Sequence, residues 1–456
     1  MNESWPTVSL FDVTQDVKSW DPSSEREFTY VDISSIDNDR CEISNSKVVL
    51  GPNAPSRARR PIKKGDVLFS NVRTYLRNVA QVGDVDQPAV ASTGFTVLRP
   101  SPELDSRFLY HLVRSDDFIN RVTPEQTGTH YPATSDRVVR SQKISLPSLP
   151  EQREIAEAVD WVELYRRSSS LHLIAARSAI ERFRHSALAA ACSGKLTADW
   201  RTKNQTRSAT EALENRRASE ARRLGKRYLR SFEPDPGKLP EIPNNWLWVA
   251  LPELGELGRG KSKHRPRNDP KLYGGEYPFV QTGEIARSGG RITSHSQTYN
   301  ETGLAQSRLW PVGTVCITIA ANIADSGLLT FPACFPDSVV GLIADETIVL
   351  PEYAELFIRT ARRDLAMFAP ATAQANINLA ILSEVAVAIP PIEEQHEIIR
   401  RTDQLFRAAD DVMERIDKAA RRVDRTSQAV LTKALRGELR VAPELDGDGG
   451  LQWPPQ

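Results

Sequence analysis

Two long stretches of the chain repeat apolar or small residues at steps of three and four, with polar residues between them. The first runs from Ile155 to Ala187 and the second from Ile398 to Val430. This heptad spacing predicts two long helices, each with a narrow apolar face that pairing with the other would cover. The predicted seam positions are Ile155, Val159, Val162, Arg166, Ser169, Leu173, Ala176, Ile180, Phe183 and Ala187, then Ile398, Thr402, Leu405, Ala409, Val412, Ile416, Ala419, Val423, Thr426 and Val430.

Both helices are predicted to begin and end at matching positions. Pro150 suits a first helical turn, the acidic residues after it complement the positive helix end, and Gly194 is a natural stop. Residues 144–155 return as residues 387–398, and Gly437 closes the second copy at the same offset. At ~1.5 Å per residue, each helix is on the order of 60 Å long.

Short β-rich runs bounded by glycine and proline precede each helix. Residues 67–69 follow the turn at 63–66, and residues 310–317 repeat the pattern of residues 61–68. This predicts a strand-rich domain before each helix, hence an α+β chain with an internal pseudo-twofold repeat. Such a molecule suits a target made of two parts.

Composition narrows the possible classes. The chain has 456 residues, 40% hydrophobic and 26% charged, which predicts globular domains with substantial cores. Because the formal net charge is zero, any nucleic-acid binding must come from local basic patches. The four cysteines form no CxxC pair, and we find neither a signal peptide nor an apolar run long enough to span a bilayer. We therefore expect a cytoplasmic protein with no membrane association.

Residues 255–262 match the phosphate-binding P-loop string GxxxxGK[ST]. A working P-loop needs a strand before it and a helix directly after it, and here Pro252 precedes the string while residues 263–270 disfavour a helix. We therefore interpret this segment as a basic loop that meets DNA, with a merely solvated loop as the alternative. ATP binding is the least favoured interpretation.

Residues suited to catalysis are sparse. The seven histidines show no metal-ligand spacing, and the chain lacks a methyltransferase motif and a GxSxG nucleophile elbow. Asp12, Asp16 and Lys18 loosely resemble a nuclease metal site, although surface charges explain them better. These observations predict a protein that recognises a ligand and performs no chemistry itself, with no bound cofactor and no metal.

Basic clusters occur in both halves, and amide-bearing or aromatic residues lie before each long helix. Arginine can read guanine, lysine can hold phosphate, and Asn or Gln suit adenine edges. A solvated surface or a structural role is the alternative for each residue. The candidate DNA contacts are Arg57, Arg59, Arg60, Lys63, Arg73, Arg77, His130, Tyr131, Arg259, Lys261, Lys263, His264, Arg265, Arg267, Gln374 and Asn376.

Several motifs together resemble the specificity subunit of Type I restriction-modification enzymes, over nearly the whole chain. The most specific are residues 149–155 (Leu-Pro-Glu-Gln-Arg-Glu-Ile), residues 194–201 (Gly-Lys-Leu-Thr-Ala-Asp-Trp-Arg), and residues 239–243 with Trp246. Residues 64–68 and 278–285 are similar to pieces of that family's target-recognition domains, which adds Gln281 and Thr282 to the candidate DNA contacts. The second helix lacks the Leu-Pro of the first, a mild departure.

The resemblance implies two β-rich target-recognition domains separated by a pair of long antiparallel coiled-coil helices. Each domain would read one half of a split double-stranded DNA site with a nonspecific spacer. Two methyltransferase subunits using S-adenosylmethionine and restriction subunits using ATP and Mg²⁺ would act on that site, methylating adenine and cutting DNA. The implied segments are residues 1–149 and 246–390 as recognition domains, 150–194 and 391–437 as long helices, 195–245 as a basic connector, and 438–456 as a disordered tail.

Two alternatives from other classes stay open at this point. A DNA-dependent ATPase or nuclease would show turnover by the purified chain alone. A coiled-coil scaffold without sequence specificity would leave the assembled complex indifferent to DNA sequence.

Overall fold

The computed structural model describes residues 5–37, 40–86, 88–126, 132–204, 206, 208–224, 239–264, 266, 268–320, 324–367 and 379–439. The chain divides into two compact units. The first unit comprises residues 1–175 and 416–456, and the second comprises residues 176–415. Each therefore contains one β-rich domain and parts of both long helices.

The first unit packs short helices against antiparallel and mixed sheets. Its strands are β1 (Thr7–Ser9), β2 (Thr14–Gln15), β3 (Glu27–Val31), β4 (Ile36–Asp37), β5 (Glu42–Ile43), β6 (Lys47–Leu50), β7 (Ala58–Pro61), β8 (Val67–Ser70), β9 (Val79–Gln81), β10 (Ala89–Ser92), β11 (Phe95–Pro100) and β12 (Lys143–Ser145). Its helices are α1 (Leu10–Val13), α2 (Ser106–Arg114), α3 (Asp116–Val122), α4 (Asp136–Arg140) and the start of α5 (Leu149–Cys192).

The second unit has the same kinds of element. Its helices, after the end of α5, are α6 (Ala198–Lys203), α7 (Thr210–Leu224), α8 (Thr282–Arg287), α9 (Glu301–Ala305), α10 (Pro351–Met367), α11 (Leu379–Ser383) and the start of α12 (Ile392–Leu435). Its strands are β13 (Leu247–Ala250), β14 (Gly255–Arg259), β15 (Tyr273–Phe279), β16 (Arg291–Ile292), β17 (Gln297–Tyr299), β18 (Val315–Thr318), β19 (Ser326–Leu329), β20 (Val339–Ala344) and β21 (Ala386–Ile389).

Part of the sheet topology repeats along with the sequence. A sheet of order β2-β11-β8-β9 in the first unit corresponds to β14-β20-β18-β19 in the second, where β16 adds a fifth strand. In both units the first strand also pairs antiparallel with the strand just before the long helix, as β1 with β12 and as β13 with β21. These matches confirm the predicted α+β class with an internal repeat.

Within each unit, parts of the two long helices pack side by side in opposite directions. In the first unit, Val159 of α5 shares a buried cluster with Leu431 and Ala434 of α12. In the second unit, Arg184 of α5 forms an ion pair with Asp410 of α12. Since the early part of α5 meets the late part of α12, and the reverse, the helices are antiparallel, as predicted.

The predicted seam is wrong at Phe183 and Val412, which are 41% and 40% exposed, and at the last turns of the second helix. Thr426 is exposed, whereas Ser427 beside it is buried, and Leu431 is buried where Val430 was expected. An α-helix has 3.6 residues per turn, so a strict seven-residue repeat drifts around a straight helix. The buried face has moved forward by one residue at this end.

One buried glutamine in each copy joins the long helix to its β-rich domain. The side-chain oxygen of Gln152 accepts from the Asp105 N–H at 2.7 Å, and that of Gln395 accepts from the Leu350 N–H at 2.8 Å. Each side-chain NH₂ donates to the carbonyl five residues earlier, at 2.9 Å in both copies. Because a buried amide left unpaired is costly, these matching hydrogen bonds explain why the glutamine recurs in both helix starts.

The Glu of that pair has different surroundings in the two copies. Glu394 is buried in the second unit, where its carboxylate accepts from Thr197 Oγ1 at 2.7 Å, from Trp246 Nε1 at 3.0 Å and from the Arg201 guanidinium. Glu151 is exposed and accepts from the N–H and hydroxyl of a serine at the helix start. The motifs that contain Thr197, Trp246 and Glu394 thus meet at one buried carboxylate, although they are distant in sequence. The exposed Glu151 makes no equivalent set of contacts.

Candidate nucleic-acid interface

Three loops of the first unit are joined by backbone hydrogen bonds. The carbonyl of Arg57 accepts from the Thr93 N–H, and the carbonyl of Gly94 accepts from the Asn71 N–H, both at 2.8 Å. Arg57 itself is exposed. The basic loop that precedes β7 therefore lies beside the turn between β10 and β11, and that turn lies beside the loop after β8.

The loop after β8 also contacts the segment that follows the predicted His130 and Tyr131. The Arg73 N–H donates to the Pro132 carbonyl, and the Thr134 N–H donates to the Asn71 carbonyl, both at 2.8 Å. The segment 132–134 is thus held beside the loop after β8, although the two are far apart in sequence. We name the joined surface, residues 57, 71–78, 93–94 and 132–134, the loop edge.

The loop edge contains a single 3₁₀ turn, Thr74–Leu76. The residues on either side of it, Arg73 and Arg77, both have left-handed backbone conformations, with φ of 50° and 53°. Non-glycine residues adopt this region at a cost, and such outliers concentrate at functional sites. Between them Tyr75 and Leu76 are 52% and 41% exposed.

The structure separates the predicted cations of the first unit into two groups. Arg57 and Lys63 are exposed, and Arg73 is half-buried on the loop edge. The other three are engaged within the unit: Arg59, Arg60 and Arg77 form ion pairs with Asp21, Asp136 and Asp116, respectively. His130 and Tyr131 lie outside the described residues. The exposed cations are therefore the stronger candidates for phosphate contact.

In the second unit, the basic loop after β14 is held in place by its backbone. The Gln306 side-chain oxygen accepts from the N–H groups of Lys263 and His264 at 2.6 and 2.9 Å, and the Lys261 carbonyl accepts from a serine hydroxyl. The Lys261 and Lys263 side chains are exposed. A fixed backbone with solvent-facing cations is the arrangement expected of a phosphate-binding loop.

Two more predicted residues near this loop have partners within the chain. The His264 side chain lies 2.9 Å from the Asp269 carboxylate. The pKa of Asp269 is lowered mainly by a hydrogen bond from the Lys271 N–H, and to a smaller extent by the hydrogen bond with His264. Arg259 is exposed and donates from Nε to the Asp337 carbonyl. Arg265 and Arg267 lie outside the described residues.

The P-loop string is a β-strand in the structure. β14 occupies its first five residues, and the next α-helix in the described chain is α8, which begins at Thr282. A Cβ on Gly255 would lie 2.0 Å from the Ile343 carbonyl oxygen, and one on Gly260 would lie 2.3 Å from that of Pro336. Close backbone packing thus requires these glycines, and the string has no loop-to-helix junction that could hold phosphate.

Gln281 and Thr282 lie at the start of α8. The Gln281 N–H donates to the Glu284 carboxylate at 2.7 Å, and its side-chain NH₂ donates to the Gln297 side chain at 2.7 Å. Gln281 therefore caps the helix, and half-buried Thr282 is its first residue. Gln374 and Asn376 lie outside the described residues.

Sequence reasoning missed the two apolar residues on the loop edge. Tyr75 and Leu76 follow a strand in an ordinary polar-flanked run, and only the tertiary structure shows that they are exposed together. The nuclease-like triple is explained by other contacts, because Asp12 caps α1 through the Ser9 N–H and Asp16 pairs with Arg140.

The described part of the chain has neither a membrane-spanning helix nor a metal-binding cluster. No helix within it combines the length and apolarity that a membrane crossing requires. Among the same residues, no cluster of three or more His, Cys, Asp or Glu side chains is placed to hold a metal ion.

A family assignment follows from comparison with known proteins. The model of the Type I restriction modification DNA specificity domain matches residues 25–165 and 243–421. The chain belongs to this family. Each match covers much of one β-rich domain and part of the adjoining long helix, so the two copies of the family domain coincide with the structural repeat. The family, the fold class and the function of DNA specificity predicted from the sequence are confirmed.

Curated relatives of the family align with about three quarters of the chain. The Type I restriction enzyme EcoDI specificity subunit of Escherichia coli is 29% identical over 347 residues, which is 74% of this chain and 70% of that protein. The EcoKI specificity subunit of Escherichia coli strain K12 is 27% identical over 350 residues, covering 75% and 68%.

Two solved structures of the family resemble nearly the whole chain. One, from work on the complex assembly and conformational transition of the type I R-M system, has a TM-score of 0.73 at 26% identity, covering 96% of this chain and 99% of that one. The HsdS subunit from Thermoanaerobacter tengcongensis has a TM-score of 0.59 at 27% identity, covering 96% and 98%.

Proposed function

We propose that this chain reads a bipartite DNA target, one half through each β-rich domain, with a nonspecific spacer between the halves. The observation that carries the proposal is the double occurrence of the family's DNA specificity domain on one repeated sheet topology. Each copy also presents exposed cations on loops whose backbone is hydrogen-bonded to the domain, Arg57 in the first unit and Lys261 and Lys263 in the second. Phosphate contacts by such loops would position each domain on the duplex.

The proposed partners include methyltransferase subunits, one for each copy of the repeat, together with restriction subunits. An exposed apolar stripe on α5 supports a protein partner. Trp161, Leu164, Tyr165 and Leu171 are each more than half exposed and lie on one side of the helix. Monomeric proteins rarely leave such a patch in water, so we assign the stripe to contact with a methyltransferase subunit.

We propose that the chain is not itself an enzyme and binds no cofactor. S-adenosylmethionine, ATP and Mg²⁺ would be used by the partner subunits, which would methylate adenine and cut DNA in the cytoplasm. The strand conformation of the P-loop string supports this division of labour, because the backbone N–H groups of β14 are used in pairing with β20.

Methylation mapping tests the proposal. Genomes with and without this chain, each carrying the partner subunits, should differ by adenine methylation at one bipartite motif. Replacing residues 1–146 with the same region of a relative should change one half of that motif and leave the other half and the spacer unchanged. Methylation that is independent of the chain, or a swap that changes both halves, would refute the proposal.

A further inference from the structure

We propose that Tyr75 and Leu76 make an apolar contact with the bases of the half-site read by the first unit. This inference rests on the proposed function and adds to it a specific recognition element. We call the two residues the apolar tip. No sequence motif marks these two residues; the tertiary structure exposes them together.

The apolar tip is exposed but rigidly supported. Thr74 beneath it is buried, and its hydroxyl lies 2.8 Å from that of Thr123 in the turn after α3. Arg77 is tied to Asp116 at the start of α3, and the Asn71 side chain accepts from the Thr96 hydroxyl at 2.7 Å. The turn is thus fastened on both sides to the body of the domain. Exposing two apolar side chains on so fixed a support costs hydrophobic free energy that contact with a ligand would recover.

The surroundings of the apolar tip favour DNA as that ligand. Arg73 precedes it, exposed Arg57 lies on the same joined loop edge, and the Pro132 carbonyl fixes the Arg73 backbone. Cations can hold the phosphates on either side while apolar side chains reach the bases by wedging between base steps of the duplex. A protein partner would fit less well, because a specific interface between proteins buries about 800 Å² on each partner, far more than these two side chains supply.

Affinity and salt dependence distinguish an apolar base contact from a phosphate contact. The complex of this chain with its methyltransferase subunits would be titrated with a duplex carrying the mapped motif and with a duplex in which the first unit's half is scrambled. Tyr75→Ala should weaken binding to the motif duplex about tenfold. Binding to the scrambled duplex should change little, and the slope of log affinity against log salt should stay the same. Arg57→Ala, in contrast, removes an exposed cation of the loop edge and should reduce that slope by about one.

Matched variants make the test decisive. Tyr75→Phe keeps the ring and should keep the affinity, whereas loss of affinity in this variant would show a hydroxyl contact and overturn the apolar assignment. Val48→Ala removes an apolar side chain that is 69% exposed on β6 of the same unit and should have no effect. Thermal unfolding and gel filtration of each variant would show that folding and assembly are intact.

The outcomes separate this inference from the proposed function. The wild-type complex could prefer the motif duplex while Tyr75→Ala and Leu76→Ala bind both duplexes as wild type does. In that case the proposed base contact by the apolar tip is wrong, and the proposed function stands. Equal loss on both duplexes, a reduced salt slope or loss of methyltransferase subunits would also overturn the inference. A wild-type complex without sequence preference would instead refute the proposed function.

Discussion

Replacing Glu394 by alanine should lower the free energy of unfolding of the second unit. The equivalent replacement of Glu151 should lower that of the first unit much less. The two residues occupy the same position of the repeat, but Glu394 is buried and accepts from Thr197, Arg201 and Trp246. Removing one partner of a buried ion pair costs about 3–5 kcal/mol because the other charge is left without compensation.

The structure places the cost at Glu394 near the lower end of that range. The Arg201 side chain is 21% exposed and keeps a hydrogen bond from Nη2 to the Gly194 carbonyl at 2.7 Å, so water and this carbonyl would partly solvate it. We therefore expect a loss of about 3 kcal/mol, including the unpaired indole N–H. Glu151 acts as a capping residue, and its replacement should cost about 0.5–1 kcal/mol.

Urea unfolding followed by tryptophan fluorescence and circular dichroism would measure both effects. Because the chain has two units, two transitions must be fitted separately. Glu394→Ala should move one transition to markedly lower urea and leave the other in place, and Glu394→Gln should fall between this variant and wild type. Losses for Glu394→Ala and Glu151→Ala that agree within about 1 kcal/mol would refute the argument from burial.

Three further predictions test other parts of the molecule. Lys261→Ala should leave ATP hydrolysis by the assembled complex unchanged while reducing the salt slope of DNA binding by about one, and lost nucleotide binding would restore the P-loop interpretation. Deleting residues 166–172 together with 420–426, one heptad from each antiparallel helix, should shorten the preferred spacer by about three base pairs, and an unchanged spacer at full affinity would contradict this. The pKa of Glu397 is lowered to about 2, mainly by hydrogen bonds from the Arg400 guanidinium. Its stabilising effect should be complete above about pH 4.5 and disappear as the pH falls toward 2, so Glu397→Gln and wild type should converge in acid denaturation, and a constant difference would contradict this.

The long helices could be predicted to within two residues because their signals are local. Heptad spacing, an N-terminal proline and a C-terminal glycine all act within a few turns, and the structure has α5 at Leu149–Cys192 and α12 at Ile392–Leu435. Sheet order could not be predicted in the same way. β2 pairs with β11 more than eighty residues later, and short strands do not encode such distant pairing.

The candidate site shows the same division between local and distant causes. The sequence shows where the cations are but not which groups they pair with. Arg59, Arg60 and Arg77 form ion pairs with carboxylates that are remote in sequence. Part of the basic connector is the helix α7, whose Arg216 and Arg217 form ion pairs within the second unit. A count of basic residues cannot distinguish such internal ion pairs from a surface open to DNA.

The two copies keep the same scaffold and differ where they would meet DNA. Gln152 and Gln395 make matching hydrogen bonds, and the strand order of one sheet is shared by both domains. Tyr75 and Leu76 follow β8, whereas the residues that follow the equivalent strand β18, 320–325, have the sequence Ala-Ala-Asn-Ile-Ala-Asp. If equivalent loops read the bases, different loops read different bases, although the scaffold that presents them is symmetric. The two halves of the target should therefore differ in sequence, rather than form the palindrome that two identical domains would select.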